Sequence, residues 1–399
     1  MKTDVAIVGA GPSGAWAAYR LARAGARVTI FDPSHPREKA CGGGVTGRAL
    51  ALVQPALAGR GLEATSIAAA RFFDMDAGRS VSIPLGAGPQ TGVDALTVVS
   101  RTSFDAALLD AAREAGAAFV EARVFDVAAH EGGASLATAA GEWRAGFLIG
   151  ADGANSLVRR RLAAPFPRGD LSMATGYFAD GVTSDEIVLT LVSNPPGYIW
   201  SFPRPGHLAI GICAGADAGA TTAALRARTR AWIAATGIAR RASLRAYSWP
   251  IPSLSRASLD RLVVHGTSWC LAGDAAGLVD PITREGIYFA LLSGHWAAEA
   301  TLAGATGPYA ARVREELVPE LARAARLKAG FFRPAFGRLL LDALENSPAI
   351  GAVMADLIAG EQSYAGLKWR LLGTGEWRLA WRALANWRST QPLPCSVGD

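Results

Sequence analysis

The stretch Val5-Ala6-Ile7-Val8-Gly9-Ala10-Gly11-Pro12-Ser13-Gly14 decides the fold, and Asp32 completes the pattern that it begins. An apolar strand enters a G-x-G-x-x-G turn, an alanine-rich helix follows, and a second strand ends on the acid. Gly9 permits the tight turn, Gly11 lets the backbone approach a pyrophosphate, and Gly14 lets the helix pack closely on the strand. The helix N-terminus offers N–H groups to the phosphates. The pattern predicts a dinucleotide-binding Rossmann unit, and it does not by itself distinguish FAD from NAD.

Composition places the chain among globular proteins and argues against nucleic acid as a partner. The 399 residues are 50% hydrophobic and 19% charged, which allows a large core and excludes global disorder. The net charge is +6, but no basic block with interleaved aromatics is present, so nucleic acid is not an expected partner. The cysteines stand singly without metal-ligand spacing, so neither disulfides nor a metal site is predicted. Because no leader precedes the first strand and no apolar run approaches about twenty residues, we expect a cytoplasmic protein.

Periodicity along the chain predicts an α/β protein with a discontinuous nucleotide-binding domain. Apolar residues recur at helical spacing over 103–115, with Ser103 as the expected N-cap and Gly116 closing the helix. Short strands dominate 66–100 and 168–258, and the remainder after about residue 306 reads as helical. We predict a Rossmann-type domain, a β-rich substrate domain and a helical C-terminal section. The Rossmann-type domain is predicted to comprise 1–65, 101–167 and 259–305. The β-rich substrate domain comprises 66–100 and 168–258, and the helical section comprises 306–399.

Three further segments narrow the nucleotide to a flavin. Ser100-Arg101-Thr102-Ser103 places an arginine at a helix entrance, Ile149-Gly150-Ala151-Asp152-Gly153 ends a strand, and Cys270-Leu271-Ala272-Gly273-Asp274 ends another. Together with the first motif, their order and spacing resemble a large family of FAD enzymes that includes aromatic hydroxylases, flavin halogenases and geranylgeranyl reductases. The resemblance covers about the first 305 residues. It implies a Rossmann-type FAD-binding domain with non-covalently bound FAD.

Three more stretches resemble the geranylgeranyl reductase branch in particular. Lys39-Ala40-Cys41-Gly42-Gly43-Gly44 resembles its Cys-Gly-Gly loop, Tyr198-Ile199-Trp200-Ser201-Phe202-Pro203 its Y-x-W-x-F-P motif, and Pro281-Ile282-Thr283-Arg284-Glu285-Gly286-Ile287 its P-x-T-G-E-G-I stretch. Two positions depart from that pattern: Arg284 and Cys213 each stand where a glycine is usual. Both departures concern the substrate more than the fold.

The resemblance implies a set of cofactor-binding residues drawn from all of these segments. Arg101 is expected beside the phosphoribityl region, Asp152 and Gly153 near the pyrophosphate, and Asp274 as the acceptor for ribityl hydroxyls. The full predicted set is Gly9, Gly11, Pro12, Ser13, Gly14, Asp32, Lys39, Cys41, Gly42, Gly43, Arg101, Asp152, Gly153, Gly273, Asp274, Gly286 and Ile287.

The predicted substrate site rests on an alternating aromatic strand. Tyr198, Trp200 and Phe202 share one face of that strand and are expected to bind an apolar substrate, although core packing accounts for the same alternation. Cys41, Tyr198 and Trp200 are the predicted catalytic residues. Cys41, Tyr198 or a water is the candidate proton donor, and Cys41 reads equally well as a small neutral spacer.

The resemblance implies an FAD-dependent reductase that saturates C=C bonds of a polyprenyl lipid of the geranylgeranyl type by hydride transfer. NADPH or a ferredoxin-like donor is the expected reductant, because the chain has no second G-x-G-x-x-G unit. An FAD monooxygenase acting on an aromatic or other small substrate is the alternative. A halogenase is disfavoured because Lys39 lies in the wrong local sequence, and a non-redox isoprenoid carrier is a distant third.

The C-terminal segment 376–388 has one further property. If it is helical, Trp377, Trp381 and Trp387 gather on one side and arginines lie opposite. Such a helix suits peripheral contact with the inner face of a membrane, although a stripe of this kind is more often the core-facing side of a surface helix. The oligomeric state is not readable from the residues.

Overall fold

The computed structural model describes residues 1–86 and 94–376. Within these ranges the chain is an α/β protein, as predicted, with two seven-stranded sheets and one three-stranded sheet. The strands of the first sheet are β1 (Lys2–Val8), β2 (Val28–Phe31), β8 (Ala118–Val120), β9 (Val124–His130), β10 (Gly133–Thr138), β11 (Gly141–Gly150) and β17 (Trp269–Leu271). They run in the order β8-β2-β1-β11-β10-β9, and β17 pairs with β11.

The parallel part of this sheet forms the Rossmann unit. β1 pairs in parallel with both β2 and β11, so the carboxyl ends of these strands meet at one edge. Helix α1 (Pro12–Arg23) begins at that edge with Gly11 as N-cap and Pro12 in its first turn, where a missing N–H costs nothing. It packs on α7 (Ile287–Leu302), where a Cβ on Gly294 would lie 2.4 Å from the carbonyl oxygen of Ser13. Small residues therefore set the close approach of the two helices.

Helix α3 (Arg101–Glu114) begins earlier than predicted. Its N-cap is Ser100, whose hydroxyl accepts a hydrogen bond from the Ser103 N–H at 3.4 Å, so the predicted N-cap at Ser103 is wrong. Ser103 lies in the first turn instead. The apolar period begins only at Phe104, so periodicity alone misses the polar first turn. Gly116 follows the helix with a φ of +109°, a conformation suited to glycine.

The second sheet combines strands from distant parts of the chain. Its strands are β5 (Ala69–Asp74), β6 (Arg79–Pro84), β12 (Leu171–Asp180), β13 (Glu186–Ser193), β14 (Pro196–Arg204), β15 (His207–Gly215) and β16 (Ser243–Pro252). They run in the order β16-β12-β15-β14-β13-β5-β6, and only the β5–β13 pairing is parallel. Helix α5 (Thr222–Thr236) covers one face through the buried Trp232. The opposite face is left for the cavity described below.

A small sheet and short helices connect the two large sheets. The small sheet comprises β3 (Gly44–Thr46), β7 (Leu96–Val99) and β4 (Ala64–Ser66), in that order. The remaining helices are α2 (Gly47–Leu57), α4 (Leu157–Leu162), α6 (Arg256–Asp260), α8 (Gly307–Arg312), α9 (Val318–Phe331), α10 (Pro334–Asn346), α11 (Pro348–Ala359) and α12 (Tyr364–Gly373).

The C-terminal helices pack against the second sheet. Leu340 and Leu344 of α10 and Ile350 of α11 form one buried cluster with Phe72 and Ile83. In the described ranges, no helix combines the length and the apolar character needed to cross a membrane. The helix predicted over 376–388 lies almost entirely outside the described residues and stays a prediction.

Candidate functional site

A cavity of about 830 Å³ extends from the turn after β1 to the inner face of the second sheet. Its size and its mixture of apolar walls with a few polar groups are typical of a cofactor and substrate site. The predicted residues that line it are Gly9, Gly11, Pro12, Ser13, Asp32, Lys39, Cys41, Gly42, Gly43, Arg101, Asp152, Gly153, Tyr198, Trp200, Phe202, Asp274, Gly286 and Ile287. Gly14 and Gly273 do not line it; both are packed against backbone or side chains of the Rossmann unit.

At the nucleotide end, the turn after β1 forms an open cradle. A Cβ on Gly11 would meet no protein atom within 4 Å, although Gly11 lines the cavity. The hydroxyl of Ser13 is buried at the same helix N-terminus and has no partner among the described residues. Asp32 accepts hydrogen bonds from the N–H of Ala10 at 3.1 Å and from Arg37 Nη1 at 3.2 Å. An open glycine, an unpaired hydroxyl and a helix N-terminus together fit a pyrophosphate.

Asp152 uses its carboxylate inside the protein. It accepts hydrogen bonds from the hydroxyl of Ser156, the N-cap of helix α4, and from the Leu157 N–H in the first turn of that helix. Burial raises the pKa of Asp152 above its ordinary value, and these hydrogen bonds oppose the shift. The carboxylate is thus engaged with α4, while the adjacent Gly153, with a φ of +80°, lets the backbone turn beside the cavity.

Two loops meet at the middle of the cavity. Lys39 Nζ, from the glycine-rich loop 39–44, lies 2.8 Å from Asp274 Oδ2 at the end of β17. Gly286, the N-cap of α7, also lies close to this carboxylate: a Cβ added at Gly286 would be 3.4 Å from Asp274 Oδ1. A carboxylate beside a helix N-terminus, with a lysine across from it, fits the ribityl and ring portion of a flavin.

Arg101 is buried beneath the glycine-rich loop. Its guanidinium forms an ion pair with Asp105 one helical turn away, at 2.6 Å, and Nη1 donates to Cys41 Sγ at 3.6 Å. Burial alone lowers the pKa of Arg101, but the charge of Asp105 outweighs burial and holds the pKa above its ordinary value. Arg101 therefore stays charged at the cavity wall.

The sequence-based prediction missed Arg204, which fixes the same loop from the second sheet. Its side chain is fully buried, donates to the carbonyl oxygens of Cys41 at 2.6 Å and Gly42 at 3.2 Å, and pairs with Glu38. One signal was available: Arg204 continues the alternation of Tyr198, Trp200 and Phe202 and therefore shares their strand face.

We expect Glu38→Gln to lower the free energy of unfolding by about 3 kcal/mol at pH 7, because it leaves Arg204 buried without its counter-charge. Burial raises the pKa of Glu38, but Arg204 and hydrogen bonds from Ser100 and Thr102 outweigh it and lower the pKa below 4.5. A lowered pKa stabilises the fold above pH 4.5, and this contribution is lost as the pH falls through the folded-state value. Urea unfolding should show the difference from wild type shrinking at pH 4.

The matched control is Glu131→Gln, which changes an exposed carboxylate and should have little effect at either pH. A loss for Glu38→Gln that is the same at pH 7 and pH 4 would contradict the linkage to the carboxylate.

The half of the cavity away from the nucleotide end is lined by apolar side chains, and we call it the apolar chamber. One wall is the second sheet, and the other comes from α9 and α11, which the sequence-based prediction did not assign to any site. The lining side chains are Phe72, Ile187, Leu189, Leu191, Tyr198, Trp200, Phe202, Phe331, Met354, Leu357 and Ile358. The apolar run of α11 was a signal of burial, but it did not indicate burial against a cavity.

The two departures from the family pattern both lie near Tyr198. Tyr198 pairs with Cys213 across β14 and β15, and its hydroxyl donates to the Thr283 carbonyl at 2.8 Å. Burial raises the pKa of Tyr198 well above its ordinary value, so the phenol stays protonated. Arg284 has a φ of +62°, the one positive φ of a non-glycine residue in the described ranges, which explains why glycine is usual there.

The Rossmann turn, the pyrophosphate cradle and the carboxylate at the end of β17 define an FAD-dependent oxidoreductase. The family model described as "FAD binding domain" matches residues 2–292. The chain belongs to this family and, within it, to the geranylgeranyl reductase family of FAD-dependent oxidoreductases.

Individual relatives agree with this assignment. A menaquinone reductase of Mycolicibacterium smegmatis is 32% identical over 77% of this chain and 78% of its own. A geranylgeranyl diphosphate reductase of Rhodobacter capsulatus is 30% identical, covering 76% of each chain. Among solved structures, a geranylgeranyl bacteriochlorophyll reductase-like protein from Thermoplasma acidophilum superposes with a TM-score of 0.75. That match covers 94% of this chain and 99% of the other at 23% identity, and it shows the shared fold.

Proposed function

We propose that the protein is an FAD-dependent reductase that saturates C=C bonds of a polyprenyl lipid of the geranylgeranyl type. The observation that carries this proposal is the continuity of the cavity, which joins the nucleotide cradle to the apolar chamber. The relatives described above, which are named as reductases of geranylgeranyl diphosphate and of menaquinone, support a substrate of this class.

Residues at three places would hold FAD. Gly11 and Ser13 would face the pyrophosphate, Asp32 the adenosine ribose, and Asp274 with Lys39 the ribityl chain. Bound FAD supplies hydride transfer, and NADPH or a ferredoxin-like donor is the proposed source of its electrons.

The protein's own part is to orient the chain, exclude water and supply a proton. The walls of the chamber bind the polyprenyl chain through apolar contact and keep water from the reacting carbons. An isolated alkene accepts hydride poorly, so a proton must reach the second carbon. Tyr198 remains protonated and is held by the Thr283 carbonyl, and Cys41 lies on the loop opposite. These two side chains are the proposed proton donors, with Trp200 packed beside Tyr198 at a ring distance of 5.6 Å.

The test is anaerobic photoreduction of the purified holoenzyme, followed by addition of geranylgeranyl diphosphate. We expect the flavin to reoxidise and the product to gain two hydrogens for each reduced bond, measured by absorbance and mass spectrometry. Tyr198→Phe and Cys41→Ala identify the donor: loss of the donor is expected to lower the rate by about 10²-fold or more.

A different outcome would point to the alternative function. If polyprenyl substrates leave the reduced flavin unchanged and oxygen reoxidises it at once, the reductase proposal is wrong. A monooxygenase would then be tested with aromatic substrates.

A further inference from the structure

Arg284 presents unsatisfied hydrogen-bond donors at the wall of the cavity. Its Nη1 donates to the Ser253 hydroxyl, while Nε and Nη2 are buried and have no partner in the described part of the chain. A guanidinium carries five N–H donors in a planar fork, so an unpaired edge is suited to an oxyanion. Buried donors without partners are costly, which makes this edge a place where a ligand stabilises the protein.

A second cation converges on the same hydroxyl. Lys328 Nζ, from α9, donates to Ser253 Oγ at 2.8 Å, and Ser253 itself is buried. Neither Arg284 nor Lys328 has a carboxylate oxygen within 4 Å in residues 1–86 and 94–376. Burial and the charge of Arg284 lower the pKa of Lys328 to about 8. Asp170 and Asp217 act on Lys328 in the opposite direction, but from beyond ion-pair distance, so the two like charges meet at Ser253 without a carboxylate in contact with either.

The two acids nearest Arg284 in sequence do not neutralise this pair, because Glu285 forms an ion pair with Arg48 and Asp280 is engaged in a turn. Asp280 accepts hydrogen bonds from the backbone N–H groups of Ile282 and Thr283, at 2.7 and 2.9 Å. Burial raises the pKa of Asp280, which weakens its tendency to carry a charge. Its carboxylate holds the turn that places Arg284 at the cavity.

We propose that Arg284, supported by Lys328 and Ser253, binds an anionic head group, phosphate or carboxylate, of an amphiphilic substrate whose apolar tail occupies the chamber. This inference rests on the proposed function for the identity of the tail. The cradle at Gly11 and Ser13 is the part of the cavity assigned to the cofactor's phosphates, so those phosphates do not account for Arg284. With the glycine that is usual at position 284, the cavity wall would lack the Arg284 guanidinium.

Saturated ligands test the inference independently of any reduction. Octyl phosphate, octanoate and octanol share one tail and cannot be reduced at a C=C bond, so their binding to the FAD-loaded enzyme reports only on recognition. By titration calorimetry below micellar concentrations, we expect at least one anion to bind about tenfold more tightly than octanol. The tighter of octyl phosphate and octanoate identifies the head group as phosphate or carboxylate.

Variants assign the preference to the proposed residues. Arg284→Gly is compatible with the positive φ and should reduce anion binding to the octanol level, and Lys328→Met should weaken it less. Arg284→Gln serves as a second variant that keeps a polar side chain. The control Arg241→Gln removes an exposed cation and should change nothing. Retained flavin absorbance shows that each variant is folded.

Equal affinity for the three ligands in the wild type, or an anion preference that survives Arg284→Gly and Arg284→Gln, would overturn the inference. Neither result depends on turnover. Failure of the reductase proposal appears instead as an absence of mass gain with polyprenyl substrates.

Discussion

Gly11→Ala is expected to yield a folded protein that has lost FAD, with the dissociation constant raised about a hundredfold. Gly11 has a φ of −67°, which alanine adopts freely, and its Cβ would meet no protein atom within 4 Å. The new methyl group would instead occupy the space that the pyrophosphate needs. Flavin fluorescence titration of the apoprotein measures the affinity, and thermal unfolding of the apoprotein tests the fold.

Gly14→Ala is the matched comparison in the same turn. Its Cβ would lie 1.9 Å from the carbonyl oxygen of Gly9, which is backbone and cannot move without displacing the turn. This variant should unfold several degrees lower as apoprotein, at a cost of about 1–3 kcal/mol. Equal melting temperatures for the two variants would contradict the assignment of Gly11 as a cofactor contact and Gly14 as a packing contact.

Under the proposed reductase function, Met354→Trp is expected to lower kcat/KM for a geranylgeranyl substrate about a hundredfold while sparing a geranyl substrate of half the length. Met354 lines the chamber from α11, and a larger side chain there shortens the space for the tail without touching the cofactor end. FAD affinity should stay at the wild-type level. The measurement is steady-state reduction of both substrates under anaerobic conditions.

Ala352→Trp is the control for this variant, because Ala352 is exposed on the same helix. Equal losses for the long and the short substrate would mean that α11 does not limit chain length. If Met354→Trp also loses FAD, the lower activity is due to a disturbed fold and not to a shorter chamber.

The Rossmann end was predictable because its residues are constrained locally. Gly9, Gly11 and Asp32 lie within one β-α-β unit, where each backbone conformation follows from the residue type. The face shared by Tyr198, Trp200 and Phe202 followed from the two-residue period of a strand. The start of α3 was misjudged because Ser100 and Ser103 are both good caps and the apolar period begins only at Phe104, after the polar first turn.

The far half of the site depends on contacts between distant segments. The fold brings Arg284 and Lys328 together at Ser253, to which both donate. No spacing along the chain indicates that these two residues are close in space. The walls from α9 and α11 depend likewise on how the C-terminal helices pack on the second sheet. Residue patterns identify an apolar helix, but which surface it covers is decided by the whole fold.

The pairing of β5 with β13 has a consequence for biosynthesis. Residues 69–74 leave the ribosome long before their partner, residues 186–193. At about 5–20 residues per second, one edge of the β5–β6 hairpin waits roughly 5–20 s for its neighbour. During that interval its unpaired backbone groups are open to another nascent chain. Slower translation between the two segments should therefore increase the insoluble fraction during expression, and added FAD would not prevent it, because Asp274 and α7 emerge later still.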